Sequence, residues 1–445
     1  MAIQTTTKQY GADFNAFQKG AGAKAPAWLN RMRTAAFSRF VEMGFPTTQE
    51  EDWKYTNVEA LANAEFAIPH EPTKAAIEGH HVEVFKNKDW INLVFINGTY
   101  IPGLSWNKNL PPRVKIGSLN QAISSSDSAV IERHLGQFAN HSKSAFTALN
   151  TAFVKDGAFI SIPDGVTLDQ PVHLIFISAS IEKDVVSFPR TLVLVGESAG
   201  VNIVESLLSF SMRPNFSNAV TEISVGANST VHYCKMEREN DKSFHVGHLQ
   251  AYMAKDSTLS SFLLSEGGKL TRNSIEVSLD EEGSKATLDG LCLLSDHQHV
   301  DNHTFVDHRK SHTSSDQLYK GILDAESRSV FTGKVMVRKD AQKTDAHQMN
   351  KNLLLSDKAE VDSKPQLEIF ADDVKCTHGA AVGPINPEEM FYLNSRGLSA
   401  DAARAILTVG FASDVVSRVQ IPSVREMVQA FMASQLKVSY GAEVK

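Results

Sequence analysis

Thr191-Leu192-Val193-Leu194-Val195-Gly196-Glu197-Ser198-Ala199-Gly200-Val201-Asn202-Ile203-Val204 holds the pattern on which the fold turns. Two runs of apolar, largely β-branched residues flank a patch of small ones, which reads as strand, tight turn, strand. The same punctuation returns at Ala227-Asn228-Ser229, Lys255-Asp256-Ser257 and Glu282-Gly283-Ser284, where successive serines stand 31, 28 and 27 residues apart. Another 27 residues reach Ser311, inside Arg309-Lys310-Ser311-His312. Return at this period predicts the coils of a β-helix, because one coil cannot bury its apolar face and its neighbours must supply the core.

Working outward, strand-like runs also occur at Phe159-Ile160-Ser161-Ile162 and Val172-His173-Leu174-Ile175-Phe176-Ile177. Helical periodicity is nearly absent from about 156 to 385, the expected core, which a large sandwich, a barrel or a solenoid would each explain; the repeat tips the balance to the solenoid. Residues 1 to about 155 read as mainly helical. Pro26 to Met43 carries Trp28, Leu29, Met32, Phe37 and Phe40 at helical spacing and stops at Gly44 and Pro46. Asn92 to Ile96 reads as a short strand closed by an Asn97-Gly98 turn, and Ser144 to Val154 as a helix.

From 386 the chain returns to helix. Asn386-Pro387-Glu388-Glu389 combines a capping side chain, a first-turn proline and acids at the positive helix end. Ser399 caps a second helix with Ala403, Ile406, Leu407 and Phe411 as its apolar stripe. A third spans about Ser423 to Leu436, with Val424, Met427, Val428 and Phe431 on one side. The predicted class is therefore mainly β: a β-helix core flanked by helical regions over about 1–155 and 386–445.

The 445 residues are 42% hydrophobic, enough for a core without staples, and the formal net charge is −7. A mild acidic excess argues against a general nucleic-acid or anionic-membrane binder, since both need a basic surface. The three cysteines, Cys234, Cys292 and Cys376, are too few and too odd for a disulfide framework. With no secretory pattern at the N-terminus and no long apolar run, a reducing cytoplasmic setting is expected.

Four features could carry chemistry. Cys376 and His378, in Val374-Lys375-Cys376-Thr377-His378-Gly379-Ala380, stand two residues apart, so an extended strand puts both on one face. Thiolate and imidazole suit iron, zinc or a nascent cluster, but two ligands leave a tetrahedral site half built. The same spacing arises wherever a half-buried thiol sits near a surface histidine. His297, His299 and His303 share strand parity, with Asp296, Asp301 and Asp307 interleaved, as a metal rack or a polar sheet face would require. Gly196-Glu197-Ser198-Ala199-Gly200 matches G-x-S-x-G, but a nucleophile elbow enters a helix and this one leads into a strand. Asp345 and Asp362 are the acids that a polysaccharide-cleaving β-helix would use. The sequence contains neither a phosphate-binding G-x-x-x-x-G-K-[ST] loop nor H-E-x-x-H.

Longer motifs add a resemblance. Val330-Phe331-Thr332-Gly333-Lys334-Val335, Ala341 to Ser356, Ala359-Glu360-Val361, Pro365-Gln366-Leu367-Glu368-Ile369, Cys376-Thr377-His378-Gly379-Ala380, Met390-Phe391-Tyr392-Leu393 and Ser395-Arg396-Gly397-Leu398 together resemble the SufB/SufD family of iron–sulfur assembly scaffolds. Asp301-Asn302-His303-Thr304, Gln317 to Ile322 and, more loosely, Trp53-Lys54-Tyr55-Thr56 fit the same family. The resemblance implies a right-handed parallel β-helix between helical regions and a non-catalytic scaffold role. Gly379 stands where SufB-type chains usually carry Glu, and Leu393 where they tend to carry Cys, so the SufD branch is the better match. That branch pairs with SufB through the β-helices and binds the SufC ATPase through its C-terminal helices, here about 389 to 436. His378 matches a histidine implicated where the transient cluster forms with a SufB cysteine, and Cys376 matches a neighbouring thiol. ATP-driven closure of two SufC subunits would twist the pair and open the interface. Pairing of the isolated chain with itself, as a SufB-type subunit would do, is the alternative.

Overall fold

A computed structural model describes residues 2–20, 22–69 and 82–435. Its centre is a solenoid of two facing sheets, with one strand of each coil in each sheet. The first sheet starts at the antiparallel pair Ile91–Ile96 and Thr99–Tyr100. It continues in parallel through Thr167–Ser178, Gly200–Ser209, Thr230–Arg238, Thr258–Ser265, Lys285–Leu294, Ser314–Leu323 and Asp345–Leu354 to Lys375–Pro384. The second runs from Lys115–Ser118 and Ala158–Ile162 through Arg190–Val195, Asn215–Val225, Ser243–Met253, Leu270–Leu279, His299–His308 and Arg328–Val337 to Glu360–Ile369. Over the last coils the register is constant: Thr258, Lys285, Ser314, Asp345 and Lys375 stand in one row. Alternate side chains therefore stack inside the coils in columns.

The corners explain the repeat and correct it. Each needs one residue in the left-handed region, and these are Ser198, Asn228, Asp256, Gly283, His312 and Lys343. Asn228 and Asp256 donate their N–H to the next coil at 2.9 Å each, and Lys343 donates at 2.7 Å. The residue after the corner then turns its hydroxyl back to a carbonyl three residues earlier: Ser257 to Ala254 at 2.7 Å, Ser284 to Glu281 at 2.9 Å and Thr344 to Ala341 at 2.8 Å. Ser229, Ser257 and Ser284 occupy that second position, whereas Ser198 is itself the left-handed residue and Ser311 precedes one. Backbone sign, not serine, defines the period.

The interior changes along its axis. Early coils are filled by Leu93, Phe95, Leu174, Phe176, Val193 and Ile203. Farther along, Tyr233 donates to Glu205 at 2.8 Å, and the Lys235 ammonium meets Glu237 at 2.7 Å, Asn273 at 2.8 Å and the His245 ring at 2.9 Å. Such buried polar groups are tolerated because they satisfy one another.

Helices cover both outer faces. Ala27–Met43 and Ala145–Phe153 pack an aromatic layer (Phe40, Phe146, Phe153) on Phe216 and Phe244 of the second sheet. Glu222 fixes that layer: it pairs with Arg190 at 2.5 Å and accepts the backbone N–H of Gly136, Phe138 and Ala139. Ser144 caps Ala145–Phe153, and Asn97-Gly98, with φ of 47° and 75°, forms the expected hairpin turn.

At the other end Asn386 caps Pro387–Ser395 and Ser399 caps Ala400–Ser417, as predicted. The buried faces differ from the expected stripes. Ala400–Ser417 buries Ala403, Thr408, Ala412, Val415 and Val416, small or β-branched side chains that let it lie close to the first sheet, while Ile406 is left 43% exposed. Pro422–Gln435 buries Val424, Val428 and Met432 and leaves Met427 outward; Leu436 lies outside the described residues. Arg418 bonds to Asp289 at 3.0 Å and Asp316 at 2.9 Å, and Lys320 donates to the Phe411 carbonyl at 2.6 Å. Among the described residues no helix is long and apolar enough to cross a membrane.

Candidate functional site

Lys375–Pro384 and Glu360–Ile369 are the last strands of their sheets, so each has a partner on one side only. Cys376 lies beside Ala346 and His378 beside Gln348 in the preceding strand. Ala346 and Gln348 are both 1% exposed, inside the coil. Cys376 and His378 therefore extend the inward-facing column at the mouth of the solenoid. The Lys375 N–H donates to the Thr344 carbonyl at 2.9 Å. The alternation of a parallel ladder then turns the backbone groups of Cys376 and His378 toward the open edge.

The two side chains sit in different surroundings. Cys376 is half-buried against Val335, Val337, Ala341, Ala346 and Ala371. Burial pushes its thiol pKa up, and Asp345 adds to the effect, so the uncharged thiol is the resting form. His378 is exposed. Among the described residues no three His, Cys, Asp or Glu side chains are placed to hold a metal together. The strand thus carries a thiol and an imidazole on one face at the free edge of its sheet.

The remaining candidates fall elsewhere. The histidine row clasps the N-terminal segment to the second sheet. Asp301 bonds to Arg272, to the Thr56 hydroxyl and to His303, the last at 3.0 Å. The Arg272 guanidinium lies 4.3 Å from the Trp53 ring centroid and donates to the Asp52 carbonyl at 2.9 Å. His299 approaches Thr56 at 3.3 Å, and His297, in the exposed turn, faces Glu326 at 3.4 Å. His308 points inward between Thr313 and Ser315. The row is thus the polar sheet face, and it explains Trp53 and Thr56 as clasp residues.

Ser198 is a corner residue followed by the strand Gly200–Ser209, so no nucleophile elbow forms. Asp345 pairs with His347 at 3.0 Å on the outside of one sheet, and Asp362 with Arg328 at 2.6 Å on the outside of the other. No acid pair for glycoside cleavage results. Cys234 is buried beneath the C-terminal helices, while Cys292 lies inside the coil, 3.2 Å from the Asn302 amide nitrogen; burial pushes both thiols to about 12.

The sequence reading missed two groups at the mouth. Gln348 lies beneath His378, and Ser363 lies in the facing terminal strand; neither side chain has a hydrogen-bond partner. Gln348 stands one coil before His378 in sequence, and Ser363 half a coil before it across the interior, so only the stacking and facing of the strands bring them together.

Comparison with known proteins covers nearly the whole chain. A model described as SUF system FeS cluster assembly, SufBD core domain matches residues 176–411, and one described as SufBD protein N-terminal region matches residues 4–174. A solenoid with helices on both faces and free strand edges at its last coil is here the architecture of an iron–sulfur cluster assembly protein. The chain belongs to the SufB/SufD family. It is 32% identical over 408 residues to an iron–sulfur cluster assembly SufBD family protein of Synechocystis, covering 89% of each chain. Over 402 residues it is 30% identical to the iron–sulfur cluster assembly protein SufD of Escherichia coli, covering 89% of this chain and 91% of that one. The SufD of Bacillus subtilis matches at 24% over 427 residues.

Proposed function

We propose that the chain is a SufD-type scaffold subunit that pairs with SufB and SufC and does no chemistry of its own beyond ligation. In this reading the open mouth docks against SufB, and the C-terminal helical region, about 389 to 436, receives SufC, whose ATP hydrolysis drives the assembly. The cluster is cargo: it forms transiently at the interface, with His378 and Cys376 as this chain's donors and the remaining ligands from SufB. The observation that supports the proposal is the position of Cys376 and His378 on a strand with a free edge, where among the described residues no group of three His, Cys, Asp or Glu side chains could hold a metal. Pro387–Ser395 buries none of its residues and leaves Phe391 and Tyr392 75% and 56% exposed, which supports a second contact surface nearby.

The test is co-purification of this chain with its cognate SufB and SufC, followed by iron and sulfide analysis of wild type and His378→Ala. A stable three-component complex that loses most of its cluster loading on substitution is expected. Normal loading in the variant would remove His378 from the site, and failure to form a complex would remove the SufD assignment.

A further inference from the structure

Inside the last coils of the first sheet, Gln317, Gln348 and His378 form one column in consecutive strands. The facing column in the second sheet is Thr304, Gly333 and Pro365. In the inner coil the two columns join: Thr304 donates to the Gln317 amide oxygen at 2.7 Å. One coil nearer the mouth the partner is withdrawn. Gly333 has no side chain to offer, and a Cβ there would stand 2.2 Å from the Gln348 amide nitrogen. The missing side chain is what lets the Gln348 carboxamide lie across the interior.

Gln348 is 1% exposed, yet neither its nitrogen nor its oxygen has a hydrogen-bond partner. A buried amide left unmade is costly, and a leucine of similar size would avoid the cost. Such a residue calls for a partner that arrives from outside the coil. Gln317 does not supply it, since its own amide nitrogen is also unpaired. The one neighbour left in the column is His378, one interstrand spacing of roughly 4.8 Å above. A tilt of the ring, or a single bridging water, spans that gap.

We propose that Gln348 is a positioning residue for His378: its carboxamide hydrogen-bonds the imidazole, directly or through one water, and fixes which ring nitrogen faces the open edge as a donor. Ligating histidines are oriented in this way by a bond to their other nitrogen. The inference rests on the reading of His378 as a ligand, but the orientation can be measured without any metal.

The experiment uses the full chain with nitrogen-15-labelled histidine, and His378→Ala identifies the His378 signals. In Gln348→Leu, unfolding at the wild-type temperature or higher is expected, with His378 ring-nitrogen shifts that move from one tautomer toward an average of two. Gln348→Glu, which keeps an accepting oxygen at the same reach, should hold the ring in one orientation, with shifts distinct from the tautomer average of Gln348→Leu. In complex with SufB and SufC, iron and sulfide loading of Gln348→Leu should fall about tenfold. Unchanged His378 shifts in Gln348→Leu would overturn the proposal, as would destabilisation with shifts at many histidines, which would mark Gln348 as packing. If the shifts move as expected while His378→Ala loads normally, the positioning stands and the ligand reading fails.

Discussion

Glu222 shows how much one buried carboxylate can organise. Its oxygens receive Arg190 and three backbone N–H groups, so a sheet residue fixes a loop that has no strand of its own. Glu222→Gln keeps the size but leaves the 0%-exposed Arg190 without its counter-charge. Removing one partner of a buried pair typically costs about 3–5 kcal/mol, so a large fall in the urea midpoint is expected. A midpoint unchanged within error would show that the loop finds other anchors. At this same scale the candidate site was half legible. The two-residue spacing of Cys376 and His378 puts them on one face wherever the segment is extended, and it is. Gln348 and Ser363 were not legible, because their proximity depends on which residues stack from coil to coil.

The element that matters most is the strand Lys375–Pro384. Its backbone groups at Cys376, His378 and Ala380 face the open edge, so a docking strand would pair there. Ala380→Pro removes one edge donor without removing a bond the chain makes to itself. The variant should fold normally and fail to co-elute with SufB and SufC on size exclusion; undiminished co-elution would place the docking surface elsewhere. The repeat was visible in the sequence because its corners return at near-constant intervals. It slipped at Ser198 and Ser311 because the corner demands a left-handed residue, which Ser, Asn, Asp, Gly, His and Lys supply in turn. The stripes of the C-terminal helices were misread at Ile406 and Met427 because both faces of these helices carry apolar residues and only the docked sheet distinguishes them.

Across the whole molecule, buried titratable groups set two opposing pH dependences. Burial lowers His173 to about 3 and His299 and His308 to about 4. Each stays neutral when folded but takes a proton when unfolded below about 6.5, so each lowers stability as pH falls from there toward 4. Burial raises Glu266 and Asp289 to about 7, even though Arg238 and Arg418 pull the other way. Those carboxyls hold a proton in the folded state that the unfolded chain releases at about 4, so they favour the fold at low pH and lose that effect as pH rises toward 7. The two sets partly cancel between pH 5 and 6. His173→Gln should therefore reduce the rise of stability with pH in that window by about 1.4 kcal/mol per unit, and Asp289→Asn should increase it by about the same. Denaturant titrations at pH 5 and 6 check both signs, and identical slopes in all three proteins would refute the assignment.

The free edges at the mouth also set an order of construction. Coils leave the ribosome one after another, and each new coil after the first finds a finished neighbour to stack upon. The helices Ala400–Ser417 and Pro422–Gln435 then fold back to bolt down strands made well before them, through Arg418 on Asp289 and Lys320 on Phe411. Among the described residues, the coil of Glu360–Ile369 and Lys375–Pro384 ends the parallel stack. A chain of this design stacks each earlier coil on its own residues, and under the proposed pairing the final stacking step falls to a second polypeptide.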